Sequence, residues 1–185
     1  RYININNEHI HNLFGGIFAG LITASIVNPI QVIRFYCWIT LGSFQYELKN
    51  LIKGSGYRVI LRGLPATIIR DIIFGGIYSS LRHIKYEDNY IYSFTWNFIS
   101  AFIATGFSSP FNYVRSIQLS THANDKPKSL IKIFNDSIYD LKNTNGIWNK
   151  INFIQLRCKI GFGTLRVSIG MAFGSQLYVF FLRCI

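Results

Sequence analysis

Two stretches decide how this chain folds: Pro29-Ile30-Gln31-Val32-Ile33-Arg34 and Pro110-Phe111-Asn112-Tyr113-Val114-Arg115. Each lies at the end of a long apolar run and sets a proline, then an amide, then an arginine at the same spacing, with 81 positions between the two copies. A layout repeated at a fixed interval marks a duplicated unit. The runs Leu13 to Ile33 and Asn89 to Val114 hold no charged residue. At a rise of about 1.5 Å per residue, each is long enough to cross a hydrocarbon core about 30 Å thick. Both are read as spanning helices. Two shorter uncharged runs, Ile72 to Leu81 and Val167 to Leu182, complete a set of four spans if their charged ends face protein or water.

Composition agrees with a membrane solvent. Half of the 185 residues are hydrophobic and 16% are aromatic, which is apolar for a soluble domain of this size. The net charge of +11 would raise nucleic acid as a partner in a soluble protein, but its placement argues otherwise. Lys49, Lys53, Arg58 and Arg62 follow the first run, and Lys126, Lys128, Lys132, Lys142, Lys150, Arg157 and Lys159 follow the third. Between the second and third runs, Arg82 and Lys85 are balanced by Glu87 and Asp88. Basic connections on one side and a neutral one on the other follow the positive-inside bias. The expected partners are therefore a bilayer with anionic lipid and no nucleic acid.

Site chemistry is sparse. Cys37, Cys158 and Cys184 have neither the number nor the spacing of a disulfide framework or zinc site. His9 and His11 lie in a polar stretch and read as solvated histidines, so no metal and no cofactor is expected. There is no phosphate-cradling glycine loop and no nucleophile with a histidine at a meaningful spacing, and an enzyme is the least supported class. Met171 is the sole methionine, so Arg1 is not a translation start.

Residues 1–9 are polar and peripheral, 10–86 form a first module and 87–185 a second. Gly16 and Gly20 make a small-residue stripe that lets another helix approach closely. Pro29 and Pro110 are expected to kink their helices rather than end them. After each kinked helix comes an amphipathic pattern, Phe44, Leu48, Leu51 and Ile52 in one case and Leu130, Ile131, Ile133, Phe134, Ile138 and Leu141 in the other. Gly54-Ser55-Gly56 and Asn143-Thr144-Asn145-Gly146 then break the pattern at corresponding places. Tyr57, Tyr78, Tyr90, Tyr92 and Trp96 read as interface anchors rather than a ligand box.

These residues together resemble the mitochondrial carrier family. Gly16-Ile17-Phe18-Ala19-Gly20 followed by Pro29 has the spacing of the family's first helix, and Leu61-Arg62-Gly63-Leu64-Pro65 through Arg70-Asp71 looks like the start of its even-numbered helices. Gly163-Thr164-Leu165-Arg166-Val167 with Gly170 and Gly174 is similar to the same element in another module. The resemblance implies an all-helical, multi-span protein of tandem carrier-type modules in the mitochondrial inner membrane, with cardiolipin among its lipids. It also implies that Arg70 and Arg166, at matching points of their modules, can face a central cavity and bind anionic substrates. A local pairing of Arg70 with Asp71, or snorkelling to headgroups, would account equally for these arginines.

The sequence departs from the family at the signature. The family's acidic residue, which pairs with the basic residue of a neighbouring module to close a gate, is Gln31 in one copy and Asn112 in the other, while Arg34 and Arg115 remain. An amide replaces a charge-assisted bond with a weaker neutral one. Two modules stand where the family has three, and the second holds extra residues around Asn152 to Phe162. Two functions follow. One is a non-transporting accessory subunit of a larger inner-membrane complex of the respiratory-chain type, bound to other membrane subunits. The other is a working carrier of a small anionic metabolite, with Arg70 and Arg166 as contacts. The lost acids and the module count favour the accessory role.

Overall fold

The computed structural model describes residues 5–82, 90–121 and 125–184. The neutral connection expected between the second and third runs falls mostly in 83–89, outside the described residues, as does the side chain of His9. The described residues form eight helices and no strand: α1 Ile5–Thr40, α2 Phe44–Ser55, α3 Tyr57–Ile60, α4 Leu64–Arg82, α5 Tyr90–Ser120, α6 Leu130–Asn143, α7 Ile147–Cys158 and α8 Phe162–Cys184. Long, short, short, long occurs twice in this order. Gly56 (φ +73°) and Gly146 (φ +88°) stand where the glycine-rich breaks were read, in backbone that disfavours a side chain. The halves differ where extra residues were expected: α3 has four residues and α7 twelve.

Both prolines lie inside their helices. Pro110 lacks the N–H that would bond the carbonyl of Gly106, and the Ser109 hydroxyl donates to that carbonyl at 2.8 Å instead. Helix α5 therefore passes its proline without stranding a polar group.

The long helices pack in chain order, α1 on α4, α4 on α5 and α5 on α8. Glycine sets the first contact. A Cβ at Gly16 would collide with the backbone of Gly75, and one at Gly20 with that of Asp71, so the two helices touch backbone to backbone. Along the next contacts runs a polar relay: the Tyr78 hydroxyl donates to Asn97 Oδ1 at 3.4 Å, and Asn97 Nδ2 donates to Ser175 Oγ at 3.0 Å. Tyr78 is thus a buried link among α4, α5 and α8, not the interface anchor its residue type implied. Trp96 donates its indole N–H to the carbonyl of Leu81 at 2.8 Å, and Tyr90 is exposed.

Burial is inverted relative to a water-soluble bundle. Asn28, Thr67, Asn97, Ser100, Ser108 and Ser168 are inside, while Phe14, Phe18, Ile22 and Ile26 of α1 and Phe173, Leu177, Phe180 and Phe181 of α8 are exposed. Such a surface fits a solvent that offers no hydrogen bonds. Among the described helices, only Ile10–Thr40 is by length and apolarity alone sufficient to cross a membrane, where the sequence pointed to four spans. The physical reason is polar content: α5 spaces Asn97, Ser100, Thr105, Ser108, Ser109 and Asn112 through its length, and α4 carries Arg70 and Asp71. Those groups face neighbouring helices, which hydropathy alone does not register.

Candidate functional site: a cleft between α4, α5 and α8

Thr105, Ser108, Ser109 and Asn112 recur at helical spacing and give α5 one polar face beside Pro110. Opposite it α4 presents Arg70, Asp71 and Phe74, and Lys159, Gly163, Thr164 and Val167 come from the α7–α8 turn and the start of α8. Together they line a cleft of about 360 Å³. Small side chains at Ser108, Gly163 and Thr164 leave the room.

Arg70 is the cleft's principal charge. Its Nε donates to Asp71 Oδ1 at 2.7 Å, with the two side chains 21% and 17% exposed, and its Nη1 donates to Asn112 Oδ1 at 3.4 Å. A guanidinium has five N–H donors, so these contacts orient the group while leaving donors for a ligand. Lys159 adds a second positive charge at the rim, and the hydroxyls of Thr105, Ser108 and Ser109, whose protons go to backbone carbonyls of α5, line the cleft as neutral polar groups. Asp71 offsets one charge of the two, leaving the cleft a net cation collar suited to a small carboxylate or phosphate. Cys158 also lines it and lies against Ser109; burial pushes its thiol up, opposed by a hydrogen bond with that serine.

The two signature segments have different fates. Arg34 is exposed, its guanidinium 4.9 Å from the centre of the Trp38 ring, and Gln31 is half-buried. Arg115 is buried, with Nε lacking a hydrogen-bond partner and Cγ packed over Gly63, whose φ of +69° and close neighbour leave no room for a side chain. Asn112 accepts from Arg70 rather than from a signature arginine. No hydrogen bond among the described residues joins Arg34 to Asn112 or Arg115 to Gln31. Arg166 is exposed on α8 and does not line the cleft, so Arg70 and Arg166 do not converge here.

Next to the first signature is a buried polar knot. Asn28 Nδ2 donates to the carbonyl of Arg62 at 3.2 Å, and Asn28 Oδ1 accepts from the Thr67 hydroxyl at 2.8 Å. Arg62 in turn donates through Nη1 to the carbonyl of Thr121 at 2.9 Å and through Nη2 to that of Asp125, tying the α3–α4 turn to the end of α5. Sequence reading missed Asn28, Arg70 as the arginine that meets the Asn112 amide, Lys159 as a cleft residue and the serines of α5. The last of these had a signal in their helical spacing; Asn28 and Lys159 had none.

Residues 6–84, which contain α2 to α4 and nearly all of α1, match the family profile described as mitochondrial carrier protein. The solute carrier family 25 protein Shawn of Drosophila melanogaster is 26% identical over 113 residues, covering 56% of this chain and 29% of that protein. The chain thus spans under a third of the curated relative it matches. No solved structure matches it. Residues 6–84 are therefore similar to the mitochondrial carrier family, and the matched relative is a solute carrier.

Proposed function

We propose that this chain belongs to a solute carrier of the mitochondrial inner membrane, crossing it several times as tandem modules and taking a small anionic metabolite in the α4–α5–α8 cleft. The observation that carries the reading is Arg70, held by Asp71 and Asn112 at the wall of a cleft with free volume and further donors. A purely structural arginine would fill its surroundings; this one borders open space. Proteins of the matched family are transporters rather than enzymes, and the similarity of residues 6–84 to them supports a mitochondrial membrane location.

The amides at Gln31 and Asn112 favour a second reading, a carrier-derived accessory subunit in a larger membrane complex. Alternating access needs a seal that forms and breaks. Here Asn112 is already bonded to Arg70 and the two signature arginines are far apart in burial, so a conventional ion-pair seal is not assembled from these segments.

Ligand-induced thermal stabilisation of the purified, complete protein separates the two. Small di- and tricarboxylates, phosphate and nucleotides are the panel. A carrier is stabilised by one class, through mass action, and loses that response in Arg70→Gln. Absence of any response together with stoichiometric co-purification with a membrane complex favours the accessory role.

A further inference from the structure

Helix α7 has no counterpart of its length in the first half of the chain and contains no acidic residue. Its C-terminal part is well anchored. Arg157 Nη2 bonds Asp140 Oδ2 of α6 at 2.8 Å, and the same guanidinium lies 4.2 Å from the Phe153 ring centre and 5.6 Å from that of Tyr113 on α5. Cys158 meets Ser109. These contacts fix α7 beside Pro110 and Tyr113, where the uncharged run of α5 gives way to Arg115 and the polar connection beyond it. With α5 crossing the bilayer, as proposed above, that is the level at which hydrocarbon gives way to headgroups.

The rest of the helix is uncovered. Ile147, Trp148, Ile151 and Ile154 are 77%, 80%, 47% and 41% exposed. At about 100° per residue they fall on one face of the helix. Lys150 borders that face and forms no ion pair among the described residues. Asp140, the acid that α7 does meet, is taken by Arg157. An apolar face with a tryptophan, bordered by an unpaired lysine at the boundary level, is complementary to anionic lipid rather than to water or to an acidic protein groove.

We propose that α7 is a membrane-surface anchor, with Ile147, Trp148, Ile151 and Ile154 set into the headgroup–acyl boundary of an anionic bilayer and Lys150 on its headgroups. The anchor holds the α7–α8 turn, and with it the Lys159 side of the cleft, at a fixed depth. It does not depend on what the cleft binds.

The test uses the complete protein in vesicles of phosphatidylcholine with or without phosphatidylglycerol, some carrying bromine near the top of the acyl chain. Fluorescence of the chain minus that of Trp148→Phe isolates Trp148, which is exposed enough for the variant to fold. The expected difference signal is quenched by brominated lipid, shielded from iodide and strengthened by phosphatidylglycerol. Lys150→Gln shifts the inserted-to-free ratio by about fivefold, as a contribution near 1 kcal/mol per lysine requires. Water-like quenching by iodide would overturn the proposal, as would equal insertion into neutral and anionic bilayers. Shielding from both quenchers would overturn it too, because another protein surface would then cover the face.

Discussion

Replacing Gly16 by alanine adds one methyl group at the place where α1 and α4 touch backbone to backbone, and the added carbon would sit well inside contact distance of the Gly75 carbonyl and the Ser79 hydroxyl. Neither helix can yield locally, because Gly20 makes the same approach to Asp71 one turn later. The helices must separate, and overpacking of this kind costs about 1–3 kcal/mol. Gly15 supplies the control: a Cβ there meets nothing within 4 Å. Alanine in place of glycine in a helix interior gains up to about 1 kcal/mol from backbone entropy, and this gain is common to both sites. The difference between Gly15→Ala and Gly16→Ala therefore isolates the packing term, about 1–3 kcal/mol, and at about 2–4 °C per kcal/mol the melting temperatures should differ by several degrees. A thiol-reactive dye reports the melt in detergent, since Cys37 and Cys158 are partly covered in the folded chain. Equal melting temperatures for the two variants would refute the close approach of α1 and α4.

Asn28→Leu removes both hydrogen bonds of a fully buried amide, so it should destabilise by about 1–3 kcal/mol in the same melt, despite the similar volume. Gly63→Ala forces a side chain into left-handed backbone beside Arg115 and should cost about 1–2 kcal/mol or more, whereas Gly54→Ala, in open space, should not. Because burial raises the Cys158 thiol, a smaller thiolate fraction exists at neutral pH. Maleimide should label it more slowly than the exposed Cys184, with the rate still climbing at a higher pH, as peptide mass spectrometry after timed labelling can read.

Much of the helical skeleton was legible because local chemistry dictates it. Uncharged runs, the apolar spacing of Phe44–Ser55 and Leu130–Asn143, and glycine at the breaks all act over a few residues. The cleft was less legible, because it depends on which faces of distant helices meet. Arg34 and Arg115 occupy the same place in a repeated motif, yet one lies over Trp38 in the open and the other is enclosed under Gly63. Trp38 lies four residues after Arg34 where the second copy has Leu119, but the enclosure of Arg115 comes from a distant neighbour, since the α3–α4 turn packs against it. Arg70 and Arg166 diverge for a related reason. The four-residue α3 leads directly into α4, whereas the twelve-residue α7 and the left-handed Lys159 set the entry of α8, and Arg166 turns outward. Of the four runs read as spans, only the first forms a helix that is by length and apolarity alone sufficient to cross a membrane, because polar residues spaced along α4 and α5 lower their apolarity.

The most direct test of the anion cleft is uptake by the complete protein in liposomes preloaded with whichever anion class stabilises it, comparing Arg70→Gln with Arg166→Gln. Arg70 borders the cleft and Arg166 does not, so the account predicts exchange that is lost in the first variant and retained in the second. Equal exchange in both variants, or loss only with Arg166→Gln, would contradict it.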